Sequence, residues 1–142
     1  MKMLLTLMLT FSFCLAKHYE IHMLNIGKNG ETMVFEPAFI KIAVGDSITF
    51  VPTHKSHYVR SVAIPEGAQN FETTLDKNQT LTFEKEGIYL YMCPPHQIMN
   101  MVGIIQVGNP TNLQEVHLLL HRLEKHAISN RGRWLDYAQH IK

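Results

Sequence analysis

The sequence is poor in cysteine, in excess charge of either sign and in long apolar runs. It has 13 Lys and Arg against 12 Asp and Glu, a formal net charge of +1 with histidine neutral. Nucleic-acid binding needs a basic face, so this balance argues against a nucleic-acid partner. The apolar run at residues 3–15 is too short to span a bilayer comfortably. A hydrophobic fraction of 46% with 18% charged residues in 142 residues indicates one ordinary globular domain.

The N-terminal apolar run has the features of a secretory signal peptide. Lys2 precedes it, and the small residue Ala16 follows it. We therefore predict that residues 1–16 are a signal peptide and that cleavage follows Ala16. A lipoprotein anchor at Cys14 is the alternative, although the bulky Phe13 disfavours that processing.

Removal of this leader would leave Cys93 as the only cysteine, so no intramolecular disulfide could form. A lone thiol in an oxidising compartment needs a chemical reason to persist. Metal ligation supplies such a reason.

Residues 19–107 have the pattern of an all-β domain. Short apolar runs, some alternating as in Ile40-Lys41-Ile42, are separated by turn formers such as Gly45-Asp46. The predicted strands are residues 19–24, 39–44, 47–51, 59–64, 80–83, 87–92 and 102–107. Seven or eight strands at this spacing predict a two-sheet sandwich.

The strand-like pattern ends at Gly108-Asn109-Pro110, and a helical pattern follows. Asn112 and Glu115 are spaced as a capping pair at a helix start. Apolar residues then recur at helical spacing in two segments: Val116, Leu119, Leu120 and Leu123, and then Trp134, Tyr137, Ala138 and Ile141. We predict that residues 109–142 form two amphipathic helices packed on the sandwich. A membrane-surface helix is the alternative, but the apolar stripe is narrow.

The most informative stretch has the spacing Cys-x2-His-x4-Met and comprises Cys93, His96 and Met101. It lies between two strand-like runs, which would hold a short loop rigidly. A thiolate, an imidazole and a thioether suit copper better than zinc or iron. His57, from a distant loop, is the natural source of a second imidazole. Two His, one Cys and a weak axial Met form the blue-copper electron-transfer arrangement.

An enzyme is the competing interpretation of the same loop. Cys93 and His96 could imitate a nucleophile–base pair, but most thiol enzymes take the His from elsewhere in the fold. The sequence shows no Ser-His-Asp set, phosphate loop or paired carboxylates. We therefore predict that the protein is not an enzyme.

Through these candidate ligands and the sequence around them, the chain resembles the pseudoazurins, small periplasmic cupredoxins. The stretches that carry the resemblance are residues 22–25, residues 33–37, the His57 loop, the Cys93 loop and Val107-Gly108. The resemblance implies an all-β, cupredoxin-like Greek-key sandwich with two C-terminal α-helices. Its cupredoxin domain would be residues 17–108. One type 1 copper would be held by His57, Cys93, His96 and Met101.

The resemblance also distinguishes between neighbouring candidates. The family pattern Pro-Thr-x-x-x-His-x-Val places the upstream ligand at His57 and leaves His54 as a solvated loop residue. The axial thioether directly precedes Val-Gly, which selects Met101 and leaves Met99 on the surface.

Several positions depart from the family pattern. Tyr58 and Pro94 stand where an Asn and a Thr usually tie the two ligand loops together, although the Tyr58 N–H would still reach the Cys93 sulfur. Asn100 replaces a common Gly. Ile26 and Met92 occupy positions at which known members carry lysines around the electron port.

The implied function is one-electron shuttling through Cu(II)/Cu(I) in the periplasm. A redox protein, either a cytochrome or a reductase such as copper nitrite reductase, would dock where His96 exposes its ring edge. We expect a monomer. A periplasmic copper carrier or buffer without electron transfer is the alternative function.

Overall fold

The computed structural model describes residues 15–142, so most of the predicted signal peptide lies outside the described residues. In chain order the strands are β1 (His18–Ile26), β2 (Thr32–Glu36), β3 (Phe39–Ile42), β4 (Ser47–Val51), β5 (Arg60–Ala63), β6 (Gln79–Thr82), β7 (Gly87–Met92) and β8 (Val102–Val107). They form two four-stranded sheets with the orders β2-β1-β4-β6 and β3-β8-β7-β5. The predicted cupredoxin-like sandwich is confirmed.

The seven predicted strands are all present, and strand β2 is an eighth that the prediction lacked. It pairs antiparallel with β1, with Leu24 opposite Val34. The segment Thr-Met-Val-Phe-Glu does not alternate strictly, and Met33 has a positive φ of 49°. A period-two pattern therefore could not reveal it.

Strands β7 and β8 are buried on both faces, which explains their nearly continuous apolar sequences. On the inner face, Tyr89 and Tyr91 of β7 join the core between the two sheets. On the outer face, Ile88 and Leu90 join a second core that is covered by the C-terminal helices. The two cores place the loop between β7 and β8 at one end of a rigid layer.

The C-terminal helices are α1 (Leu113–Glu124) and α2 (Arg133–Ala138). Their buried residues Val116, Leu120 and Trp134 pack on the outer face of the second sheet. The apolar stripes are thus docking faces, as predicted. Helix α1 does start after Asn112, but the expected capping bond is wrong. The Asn112 side chain instead pairs with the N–H and C=O of Ile88, at 2.7 and 3.0 Å.

Within residues 15–142, no helix combines the length and the apolar character that crossing a membrane would require.

Candidate metal centre

Three potential ligands meet at one end of the sandwich. The side-chain donor atoms of His57, Cys93 and His96 all lie within 4.8 Å of one another. Cys93 Sγ is 3.6 Å from His57 Nδ1 and 3.4 Å from His96 Nδ1. The two imidazole rings, supplied by separate loops, have centroids 4.8 Å apart.

These separations fit ligands that share one ion. First-row metals such as zinc bind thiolate at about 2.3 Å and imidazole at about 2.0 Å, so two such ligands at a tetrahedral angle lie about 3.5 Å apart. A cysteine with two histidines also matches the donor set that copper prefers in electron-transfer sites. The residues present therefore fit a copper ion.

The loop between β7 and β8 positions its candidate ligands through hydrogen bonds within the loop. A 3₁₀ segment, Pro94–Met99, begins directly after Cys93. The His96 N–H donates to the Cys93 carbonyl at 3.0 Å, and this turn brings the imidazole back toward the sulfur. The Cys93 N–H donates to the Met101 carbonyl at 2.9 Å, which closes the loop between its first and last candidate ligands.

His57 is held by residues distant in sequence. Its N–H donates to Asp76 Oδ1 at 3.2 Å, and its Nε2 lies 2.8 Å from Asn25 Oδ1. Because an amide oxygen only accepts, this contact assigns the proton of neutral His57 to Nε2. The Nδ1 lone pair then points toward Cys93 and is available for a metal.

Sequence reasoning missed Asn25 as a functional residue and underestimated His54. The Asn25 N–H donates to His54 Nδ1 at 2.8 Å, so His54 positions the residue that orients His57. His54 is half-buried and is not merely a solvated loop residue. The available signal was the stretch at residues 22–25, whose last residue is this asparagine.

Burial sets the protonation chemistry of the centre. It is the main reason why the pKa of His57 is lowered to about 4, and the nearby His96 lowers it further. Burial also lowers the pKa of His96. Both rings are therefore neutral near pH 7, which is the form that binds metals.

The Cys93 thiol responds to burial in the opposite sense. Burial raises its pKa, while the backbone N–H groups of Tyr58 and His96 partly counteract this increase. The effect of the Tyr58 N–H on this pKa agrees with the expectation that this N–H reaches the sulfur. A cation at the site would be needed to hold the buried thiol as thiolate.

The two methionines of the loop occupy different environments. Met101 is fully buried and packs in the same cluster as Cys93, whereas Met99 is partly exposed. This difference agrees with the preference for Met101 as the axial sulfur.

Exposed and partly exposed apolar residues flank His96 in the loop sequence. Pro95 is exposed, and Ile98 is 55% exposed. Pro52, Met33 and Met99 are all partly exposed. We call these exposed and partly exposed residues, Pro52, Pro95, His96, Ile98 and Met99, the port face.

Comparisons with known proteins agree with this geometry. Residues 21–108 match the family of copper-binding proteins described as the plastocyanin/azurin family. The chain is 48% identical over 101 residues to the pseudoazurin of Paracoccus pantotrophus, covering 69% of each chain. It is 43% identical over 107 residues to a putative pseudoazurin of Rhizobium leguminosarum, covering 73% of this chain and 70% of the relative.

Solved structures show the same fold. A Sinorhizobium pseudoazurin superposes with a TM-score of 0.70 at 35% identity, covering 88% of this chain and 93% of the other. The native pseudoazurin of Hyphomicrobium denitrificans gives a TM-score of 0.68 at 41% identity, covering 70% and 82% of the two chains.

Proposed function

The chain belongs to the plastocyanin/azurin family of copper-binding proteins and, within it, to the pseudoazurins, and from this premise we propose that it carries single electrons between redox proteins of the periplasm. One type 1 copper per chain would be held by His57, Cys93, His96 and Met101. Copper, when bound there, supplies a one-electron Cu(II)/Cu(I) couple. The protein supplies the geometry, the exclusion of water and the access route.

The observation that carries the proposal is the convergence of a buried thiol and two imidazoles on one point. Cys93 and His57 are fully buried, so water has little access to that side of the centre. His57 is oriented by Asn25, and Cys93 is tied to Met101 through the backbone. Ligands held this firmly need to move little when the charge of the centre changes, which favours rapid electron transfer.

His96 is the proposed electron port. Among the three converging residues it alone has partial exposure, and the port face around it offers an apolar docking surface. The partner would be a periplasmic reductase, such as a nitrite reductase, or a cytochrome. Brief redox encounters of this kind use small interfaces. The predicted signal peptide supports the periplasmic location, and we propose a monomer.

The geometry disfavours a copper carrier or buffer. A protein that must release its copper would favour exposed Met and His ligands. The candidate centre instead has a buried cysteine and a buried histidine whose Nε2 is held by a hydrogen bond to Asn25.

The visible spectrum of the copper-loaded protein, followed through a redox titration, tests the proposal. We expect an intense blue or green band that disappears on reduction and returns on oxidation. Cys93→Ser should fold but lack the band, because the thiolate is the source of the charge-transfer transition. Met99→Gln, in the same loop, is the matched control and should retain it. A colourless wild-type copper protein, or a coloured Cys93→Ser variant, would contradict the assignment.

A further inference from the structure

The segment that leads into Met101 is attached to the C-terminal helices, which we call the extension (residues 109–142). Three consecutive backbone carbonyls before Met101 each accept a hydrogen bond from it: Ile98 O from the Ile128 N–H at 2.8 Å, Met99 O from Asn130 Nδ2 at 2.7 Å, and Asn100 O from Arg133 Nη1 at 3.3 Å. We call residues 98–101 the axial segment. Its backbone is therefore held from outside the loop along nearly its whole length.

Asn100 adds a side-chain connection that a glycine could not make. It is only 2% exposed and adopts the left-handed conformation, with a φ of 54°. Its Nδ2 donates toward both carboxylate oxygens of Glu124, at 3.2 and 3.3 Å, and to the Asn130 carbonyl at 3.0 Å. The two amide protons are thus both directed into the extension.

Glu124 connects the axial segment to the start of α2. Its Oε1 accepts from the Gly132 N–H, and its Oε2 accepts from the Trp134 N–H at 3.2 Å. These N–H groups belong to the N-cap Gly132 and to the first turn of α2, have no partner within the helix and lie where a carboxylate is favoured. One carboxylate therefore serves as the cap of α2 and as the acceptor for Asn100.

Arg133 extends the network to strand β2. Its side chain is 5% exposed, and Nη1 donates to the Met33 carbonyl at 2.6 Å. Nη2 donates to the Thr32 carbonyl at 2.8 Å. The rigid, forked guanidinium thus links β2 with Asn100, a geometry that lysine cannot reproduce.

Local bonds hold the Met101 backbone unevenly. Its carbonyl accepts from the Cys93 N–H at 2.9 Å, but its N–H, which follows the Asn100 peptide, lies 3.3 Å from the His96 carbonyl, a long hydrogen bond. Any rotation of the Asn100 peptide would displace Met101, and the reduction potential of such a centre depends on its axial ligand. Partners of this kind, which orient a ligand without touching the metal, commonly affect metal sites measurably.

We propose that the extension is part of the metal centre, and that Asn100, Glu124 and Arg133 are positioning residues that set the location of the Met101 thioether. This inference rests on the proposed copper-binding role of Met101. It assigns a functional role to the extension, which lies beyond the 21–108 family match.

The first test compares backbone amide hydrogen exchange of the axial segment in metal-free wild-type protein and in Asn100→Gly. Glycine accepts the positive φ, so the substitution removes the side-chain bonds without backbone strain. We expect exchange at Met101 to accelerate by about tenfold, because local opening becomes easier. Glu115→Gln, at an exposed position in the first turn of α1, is the control and should change nothing.

The second test uses the copper-loaded proteins. Asn100→Gly and Arg133→Lys should shift the reduction potential and the relative intensities of the visible bands, whereas Glu115→Gln should alter neither. Asn100→Asp should produce a larger shift, because it places a second carboxylate against Glu124. Adding Glu124→Gln to that variant should restore part of the wild-type potential, since the new amide can donate to the new carboxylate.

The outcomes separate this inference from the proposed function. Unchanged amide exchange in Asn100→Gly would overturn the inference whatever the metal does. Faster exchange with an unaltered potential and spectrum would also overturn it, because the extension would then only stabilise the fold. A wild-type protein that never becomes coloured would contradict the proposed function, and the metal-free exchange would still decide whether the extension holds the axial segment.

Discussion

The two loops that supply the candidate ligands are built in different ways. The loop from Cys93 to Met101 brings its residues together by a 3₁₀ turn and by hydrogen bonds between its own ends. The His57 loop depends on Asn25 and Asp76, which are 32 and 19 residues away in sequence. The first loop can be recognised from spacing alone. The second is a ligand site only once the sheets have assembled.

The two loops also differ in the exposure of their histidines. His57 is fully buried, whereas His96 is partly exposed at the surface. The His57 loop, which we call the remote loop, therefore provides the rigid, desolvated side of the centre. The loop from Cys93 to Met101, which we call the local loop, provides the side that a partner can approach. Substitutions in one loop, with the other loop or a matched residue as the reference, test this division.

The largest effect is expected from the partner that orients His57. Asn25→Ala removes the acceptor for Nε2, so the ring can rotate and the tautomer is no longer fixed. We expect copper affinity to fall by about 10–100-fold, as is typical for the loss of such a partner. Competition with a Cu(I) chelator measures the affinity. Asn78→Ala, at an exposed position just before β6, is the control. An unchanged affinity in Asn25→Ala would show that His57 does not depend on this partner.

Acid should affect the two histidines of the metal-free protein unequally. Because burial holds the folded-state pKa of His57 at about 4, below its unfolded value of 6.5, the unfolded chain binds more protons between these values. Stability is therefore lost as pH falls from about 7 to about 4, by on the order of 3 kcal/mol from His57. Urea unfolding at several pH values measures this loss.

The variants His57→Gln and His96→Gln sharpen the pH comparison. Both should flatten the dependence, since burial lowers both pKa values. The effect of His57→Gln should be the larger one, because that ring is completely buried. A larger effect from His96→Gln would mean that His96, and not His57, lies on the desolvated side of the centre.

Two methionines allow a test within the local loop. Met101→Gln should retain the colour but lower the reduction potential, because a harder axial ligand favours Cu(II). Met99→Gln should leave both nearly unchanged, since that side chain is partly exposed. Voltammetry of the two variants measures the difference. The opposite result would mean that Met99 is the axial sulfur.

The smallest effect concerns docking at the port face. Residues 17–108 carry seven Lys and Arg against nine acidic residues, and Ile26, one of the two positions at which the resemblance implies lysine, is 61% exposed. We expect the second-order rate with a redox partner to fall by less than about tenfold from low to high salt, because charge steering is weak. Pro95→Glu should slow the reaction more than Lys55→Ala. A steep salt dependence that Lys55→Ala abolishes would contradict this expectation.

The sequence by itself determined the features that depend on local spacing. The intervals between Cys93, His96 and Met101 indicated both the metal and its chemistry, since three soft or borderline donors in nine residues have few other uses. Apolar runs predicted the strands. A strand buried on one face has alternating apolar residues, and a strand buried on both faces has a nearly continuous apolar run. The helical tail followed from the same reasoning at a different period.

Tertiary structure alone decided what depends on residues far apart in the chain. Asn25 and His54 come into contact only when β1 lies beside the His57 loop. The Asn112 side chain does not form the expected cap because it binds the N–H and C=O of Ile88 instead. The contact of Asn100 with Glu124 spans 24 residues and has no periodic signature. Single polar side chains have many possible partners in a sequence, and only the packed sheets and helices select one.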